Sequence, residues 1–230
     1  MFISVPDHAH PSRPWATPVL ALTMIAGFIA VWAPSDAVTG RLLNEWATLP
    51  ANLYSAVRQG PAAFWHPALR LVTSQFLHAN WAHLLGNLVF LLIFGMPAER
   101  KLGSLRLLTL FLLGGMVANL ATAATIDNPT RLIIGASGSV SAIIGTYLAL
   151  FPRARLGVVI PLGLFLEFVR APASLLIGIW ALLQVGFAYI GPAFGEIAWV
   201  AHLAGFVFGL AFAFLQRGAV ARRLRRQSGY

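Results

Sequence analysis

The chain of 230 residues has no cysteine, which excludes a disulfide framework, a cysteine-ligated metal and a thiol nucleophile. Charge is the next scarcity: Asp, Glu, Lys and Arg together make 10% of the residues, against roughly a quarter in soluble domains. No Asp falls inside any of the long apolar runs, which excludes a pair of intramembrane aspartates. The HExxH pattern is missing too, so the two-histidine zinc site of metalloproteases is excluded. GxSxG, the nucleophile elbow of soluble hydrolases, is absent because position 139 is Ser. No metal and no organic cofactor is expected.

What is abundant is apolar: 58% of the residues are hydrophobic, which makes the chain a polytopic membrane protein. In a soluble domain the formal net charge of +9 would suggest nucleic acid. Here the basic residues sit in short segments between apolar runs, a topology signal, and no nucleic-acid partner is expected. The preference for Arg over a single Lys (Lys101) points to a GC-rich bacterial genome and so to a bacterial inner membrane.

A spanning helix needs about 20 largely uncharged residues. Six stretches qualify: 14–35, 71–98, 107–126, 132–152, 171–195 and 197–216. The expected fold class is therefore an all-α bundle of six transmembrane helices, a single membrane domain over 14–216. The last two spans are divided by a turn at 191–196, where Gly-Pro and Gly-Glu break the pattern. Segment 156–166 is apolar but too short to span and reads as interfacial or re-entrant.

Orientation follows from Arg13, Arg100, Lys101, Arg106, Arg153, Arg155, Arg170, Arg217, Arg222, Arg223, Arg225 and Arg226. All fall on one side if the N-terminus is cytoplasmic. Residues 1–13 are then a short cytoplasmic tail, and 217–230 a basic cytoplasmic tail that contacts lipid headgroups. The connection of about 36–70 lies outside, where Trp46, Tyr54, Phe64 and Trp65 suit the membrane interface. Glu99 and Arg100 are expected to cap and anchor the inner end of span two.

Polar side chains in hydrocarbon are costly and mark function by default. Span two carries His78, His83 and Asn87, span four Ser137, Ser139 and Ser141, and span six His202. All three spans start on the outer side in this topology, so these groups share a depth. Ser137, Ser141 and Gly145 follow at i, i+4 and i+8, and His202, Gly205 and Gly209 at i, i+3 and i+7, two stripes with small residues. Gly205-x-x-x-Gly209 is the pattern that lets membrane helices approach closely. Packing through Ser141, Gly205 and Gly209 would bring the His202 imidazole to the Ser137 hydroxyl, a base beside a nucleophile.

The remaining parts of a hydrolase come from the same set. The Ser137 amide would be an orphan donor at a helix start. His83 and Asn87, at i and i+4, would point two more donors to one place, as an oxyanion hole requires. Gly135 and Gly138 would relieve the backbone beside the serine and admit a substrate carbonyl. His78 reads as structural, bonding the external loop.

These residues resemble the rhomboid family of intramembrane serine proteases. Gly135-Ala136-Ser137-Gly138 looks like the family's GxSG motif, and 201–209 (AHLAGFVFG) like its AHxxGxxxG. His83 to Asn87 looks like its HxxxN, and Gly95, Glu99 and Gly103 reproduce GxxxExxxG. The resemblance implies a Ser137 nucleophile and a His202 base with no Asp, an oxyanion hole of the Ser137 amide, His83 and Asn87, and cleavage of single-pass membrane proteins within the lipid bilayer. Some members carry an aromatic residue four after the serine, against which the histidine packs. Ser141 stands there in this chain, so another residue must hold His202. The rival reading is a non-catalytic rhomboid-like protein that binds membrane helices; such relatives lose the Ser or the His, and this chain keeps both. A transporter would require an inverted repeat with broken helices, which the sequence does not show.

Overall fold

Apolar runs of this length leave the backbone no partner but itself, and the chain is accordingly mostly helical. A computed structural model describes residues 14–32, 35–162, 165–190 and 199–227. The tail 1–13, the turn expected at 191–196 and residues 228–230 lie outside the described residues. In chain order the helices are α1 (Ala16–Trp32), α2 (Asp36–Trp46), α3 (Pro50–Gln59), α4 (Trp65–Thr73), α5 (Trp81–Phe90), α6 (Met96–Leu102), α7 (Ser104–Thr125), α8 (Ser137–Leu150), α9 (Ala173–Ile190) and α10 (Trp199–Gln227). Short 3-10 turns occupy Pro61–Phe64 and Ser74–Phe76, and one π turn at Leu91–Gly95 joins α5 to α6 as a continuous rod.

Among the described residues three helices are long and apolar enough to cross a bilayer: Trp81–Leu102, Ser104–Thr125 and Trp199–Arg225. Ala16–Trp32, Ser137–Leu150 and Ala173–Phe187 are shorter apolar helices. Helix α8 is the centre. It is apolar around its whole circumference, the mark of a helix with no solvent face, and every residue from Gly138 to Tyr147 is buried. Helices α7 and α10 pack along it, with α5, α6 and α9 completing the surround.

The start of α1 is closed by another helix. The amides of Trp15, Ala16 and Thr17 donate to the Glu99 carboxylate at 2.8, 2.7 and 2.8 Å, and the Thr17 hydroxyl adds a bond of 2.6 Å. Pro18 has no N–H, so Glu99 satisfies every donor of this helix start that lacks an intrahelical partner. The expectation that Glu99 caps its own span is corrected here: it caps α1 and ties it to α6.

Two further expectations change. Span two does not begin at residue 71; residues 71–76 finish α4 and its 3-10 turn, and the helix starts at Trp81, where the Asn80 side chain caps it by accepting the His83 amide at 2.9 Å. A hydropathy window averages over such a cap and cannot see it. Segment 156–166 belongs to an antiparallel hairpin, β1 (Arg155–Leu162) with β2 (Phe165–Pro172), paired from Arg155↔Pro172 to Leu162↔Phe165. Its Val, Ile and Phe content favours strands. An open two-stranded ribbon leaves edge groups that lipid cannot satisfy, which favours the interfacial reading of this segment over the re-entrant one.

The connection between α1 and α5 forms α2, α3 and α4, and it presents Trp46, Tyr54 and Trp65 as exposed side chains. At the opposite end of the bundle the basic residues gather. Arg106 donates to Gln216 at 3.2 Å, Lys101 reaches the Leu150 carbonyl at 3.5 Å, and the Arg223 guanidinium lies against Gly103. The ends of α6, α7, α8 and α10 thus meet at one basic pole.

Candidate active site

Helices α8 and α10 approach until backbone touches backbone. A Cβ at Gly205 would run into the Gly138 carbonyl oxygen, and one at Gly209 into that of Ala142; a Cβ at Gly145 would strike the Phe206 carbonyl oxygen. The Thr146 hydroxyl donates to the Gly209 carbonyl at 2.7 Å on the same seam. The α8 atoms that meet the α10 glycines therefore belong to Gly138 and Ala142, one residue on from Ser137 and Ser141. Ser141 turns its hydroxyl to the Ser137 carbonyl, at 2.7 Å.

The crossing sets the level of the candidate pair. Gly138, next to Ser137, lies against the Ala201 carbonyl, next to His202. Ser137 is the first residue of α8 and is half-buried. Its N-cap, Ala136, offers no side-chain cap, so the first-turn amides remain free donors.

His83 closes the site from α5. A Cβ at Gly135 would sit 2.6 Å from both Cε1 and Nε2 of the His83 ring. Gly135 also has φ of +114°, where side-chain-bearing residues are strained, so glycine is required there twice over. Asn87 is buried and spends one amide N–H on the His83 carbonyl at 3.0 Å, leaving the second. His78 is fully buried with neither ring nitrogen hydrogen-bonded. It packs edge-on against His83 at 5.1 Å between ring centroids, and its backbone carbonyl, not its ring, accepts the Trp32 indole N–H at 2.7 Å.

The group that holds His202 is Gln184 of α9, whose Oε1 lies 2.7 Å from His202 Nδ1. Trp180 and Trp199 flank the ring with centroids 6.4 and 6.0 Å away. Sequence reasoning missed Gln184; an amide side chain in the middle of the fifth apolar span was the available signal.

The loop leading to Ser137 is fastened from outside. Thr48 pairs with Ile133 through amide bonds of 3.1 and 2.8 Å, and the Gly135 amide donates to the Ser74 carbonyl at 2.9 Å. Asn119 of α7 donates to the Ser74 hydroxyl at 2.9 Å, and Ser139 to Gln75 at 3.0 Å. Among the described residues no group of three His, Asp or Glu could hold a metal ion.

Residues 66–218 match the Rhomboid domain family, well over half of the chain. Rhomboid-related protein 2 of Mus musculus is 26% identical over 203 residues, 85% of this chain and 62% of the relative. Rhomboid-like protein 11, chloroplastic, of Arabidopsis thaliana is 31% identical over 150 residues, 64% of this chain and 51% of its own length. Rhomboid-like protease 5 of Toxoplasma gondii is 29% identical over 152 residues, 63% of this chain and 16% of its own length. The chain thus spans less than two thirds of each of these relatives. With the apolar helices and the family match in hand, the chain is an integral membrane protein that belongs to the rhomboid family.

Proposed function

We propose that the chain is an intramembrane serine endopeptidase that cleaves transmembrane segments of single-pass membrane proteins. The observation that supports this reading best is the glycine-lined crossing of α8 and α10, the helices that carry Ser137 and His202, beside the His83–Gly135 contact. Ser137 Oγ attacks the substrate carbonyl carbon; its proton passes to His202 Nε2, and the carbonyl π electrons move to oxygen. The Ser137 amide, His83 and Asn87 stabilise that oxyanion. His202 then gives its proton to the leaving amine nitrogen, and water repeats the sequence on the acyl-enzyme.

In this reading all six apolar helices span the membrane, the basic pole and both termini are cytoplasmic, and α2 to α4 form an external layer. Helix α8 has 14 residues, about 21 Å against a hydrocarbon core of about 30 Å. With its C-terminal end at the basic pole, Ser137 lies roughly 10 Å below the outer edge of the hydrocarbon, where water can descend from outside. A bacterial inner membrane and contact of the basic C-terminal tail with lipid headgroups complete the proposal. The test is a fluorophosphonate probe on the purified protein, with the adduct mapped by mass spectrometry. Labelling at Ser137 that disappears in Ser137→Ala is expected. No adduct, and no cleavage of a model transmembrane substrate, would leave the non-catalytic, helix-binding reading in its place.

A further inference from the structure

We propose that Gln184 is the positioning residue for His202: its side-chain oxygen fixes the proton on Nδ1 and leaves Nε2 as the free base. The inference rests on the protease reading above and names the part of the site that neither the motifs nor the family match supplies.

The argument runs from the amide. Gln184 is 5% exposed, on the face of α9 that packs against α10. Its Nε2 donates to the Trp180 carbonyl at 3.4 Å, which turns Oε1 toward the imidazole, 2.7 Å from Nδ1. An amide oxygen can only accept, so Nδ1 must carry the hydrogen. The remaining nitrogen, Nε2, is then the one with a lone pair, the tautomer a general base requires. Trp180 and Trp199 bound the ring on two sides, so its rotation is limited as well as its protonation.

A neutral orienter suits this environment. The only buried carboxylate among the described residues, Glu99, is spent on the start of α1. A carboxylate beside His202 would have to be desolvated among apolar helices, at a cost of several kcal/mol, whereas an amide supplies the acceptor without that charge. His83 is the titratable group that interacts with His202, and it is retained in every variant below.

The experiment compares Gln184→Leu and Gln184→Glu with the native chain in detergent. Gln184→Leu keeps the volume and removes the acceptor, so the rate of fluorophosphonate labelling and kcat should fall by about 10- to 100-fold, with KM for a transmembrane substrate unchanged. Gln184→Glu keeps an acceptor at Nδ1, so labelling should return to within about tenfold of native. Its negative charge favours the protonated imidazole, so the acidic limb of its pH–rate profile should move to higher pH. Gln184→Leu labelling at the native rate, or Gln184→Glu behaving like Gln184→Leu with no shift of the limb, would overturn the proposal. Should Gln184→Leu fail to fold, the ring nitrogens of the native chain decide it. In 15N-histidine spectra, with His202 assigned by its loss in His202→Ala, the hydrogen belongs on Nδ1; a hydrogen on Nε2 overturns the proposal. If the native chain itself gives no adduct at Ser137, the protease reading falls, and Gln184's role falls with it, whereas a labelled native chain with indifferent Gln184 variants overturns this inference alone.

Discussion

Replacing Glu99 by Ala removes the acceptor for three backbone amides and one hydroxyl at once. Ala16 and Thr17 are fully buried, so water cannot take the carboxylate's place. Each charge-assisted bond is worth about 1.5–3 kcal/mol, but the four share one acceptor and do not add; a broken buried network of this kind costs about 3–5 kcal/mol. For a chain of this size that is a fall in unfolding temperature on the order of 10 °C. Glu99→Gln is the sharper variant. Its oxygen can still accept two of the donors, but its NH2 faces the Thr17 amide, donor against donor, so it should lie between Ala and native. Thermal unfolding in detergent, followed by Trp fluorescence, measures both. The site lies toward the other pole, so labelling of Ser137 at low temperature should persist. If Glu99→Ala unfolds within about 2 °C of the native protein, the cap does not hold α1 in place and the reasoning is wrong.

Gly205→Ala should lower probe labelling about a hundredfold while the protein stays folded, because even one methyl group meets the Gly138 carbonyl and a misplacement of roughly an ångström suffices; native labelling would mean that the glycine seam does not set the Ser–His geometry. Asn87→Ala should reduce cleavage roughly ten- to a thousandfold with no change in fold, and an unchanged kcat would remove Asn87 from the oxyanion hole. Because the chain has no cysteine, single cysteines report topology directly. Val57→Cys, exposed in α3, should react with an impermeant reagent outside intact cells and Arg222→Cys at the basic pole should not, and the reverse result would invert the orientation.

The positions of the apolar helices were legible because hydrocarbon imposes a composition that a window of about 20 residues detects. Where the signal was a single side chain, reading failed. Asn80 moved the start of span two by capping it, and the Val- and Phe-rich segment after α8 became a ribbon because strand pairing depends on two partners that a window reads separately. At the site, Ser137, His202, His83 and Asn87 were readable from spacing and resemblance, since each lies on a motif. Gln184 was not, because its role is defined by an atom 18 residues away across a helix pair. The glycine seam was read on the right helices and Gly145 lies in it, but the α8 carbonyls that meet Gly205 and Gly209 belong to Gly138 and Ala142 and not to Ser137 and Ser141, a detail that no periodicity argument resolves.

The layer of α2 to α4 and the turn after it fasten the loop that leads to Ser137. Ser137 has no side-chain cap and no regular structure before it to fix its approach, so the path of 132–136 must be set by other segments. Thr48 does this at Ile133 by a paired backbone bridge, and Ser74 does it at Gly135 through its carbonyl, while Asn119 and Thr48 both hold the Ser74 hydroxyl. The loop is thereby suspended between the external helices on one side and the crossing with α10 on the other. Glycine adopts φ of +114° without strain and is also the residue with most conformational freedom to lose, and these bonds hold Gly135 in that one conformation. The backbone that leads into Ser137 is thus held by separate segments, which is why substitutions at Thr48 or Ser74, far in sequence from the motifs, should act on the rate of labelling at Ser137 before they act on membrane insertion.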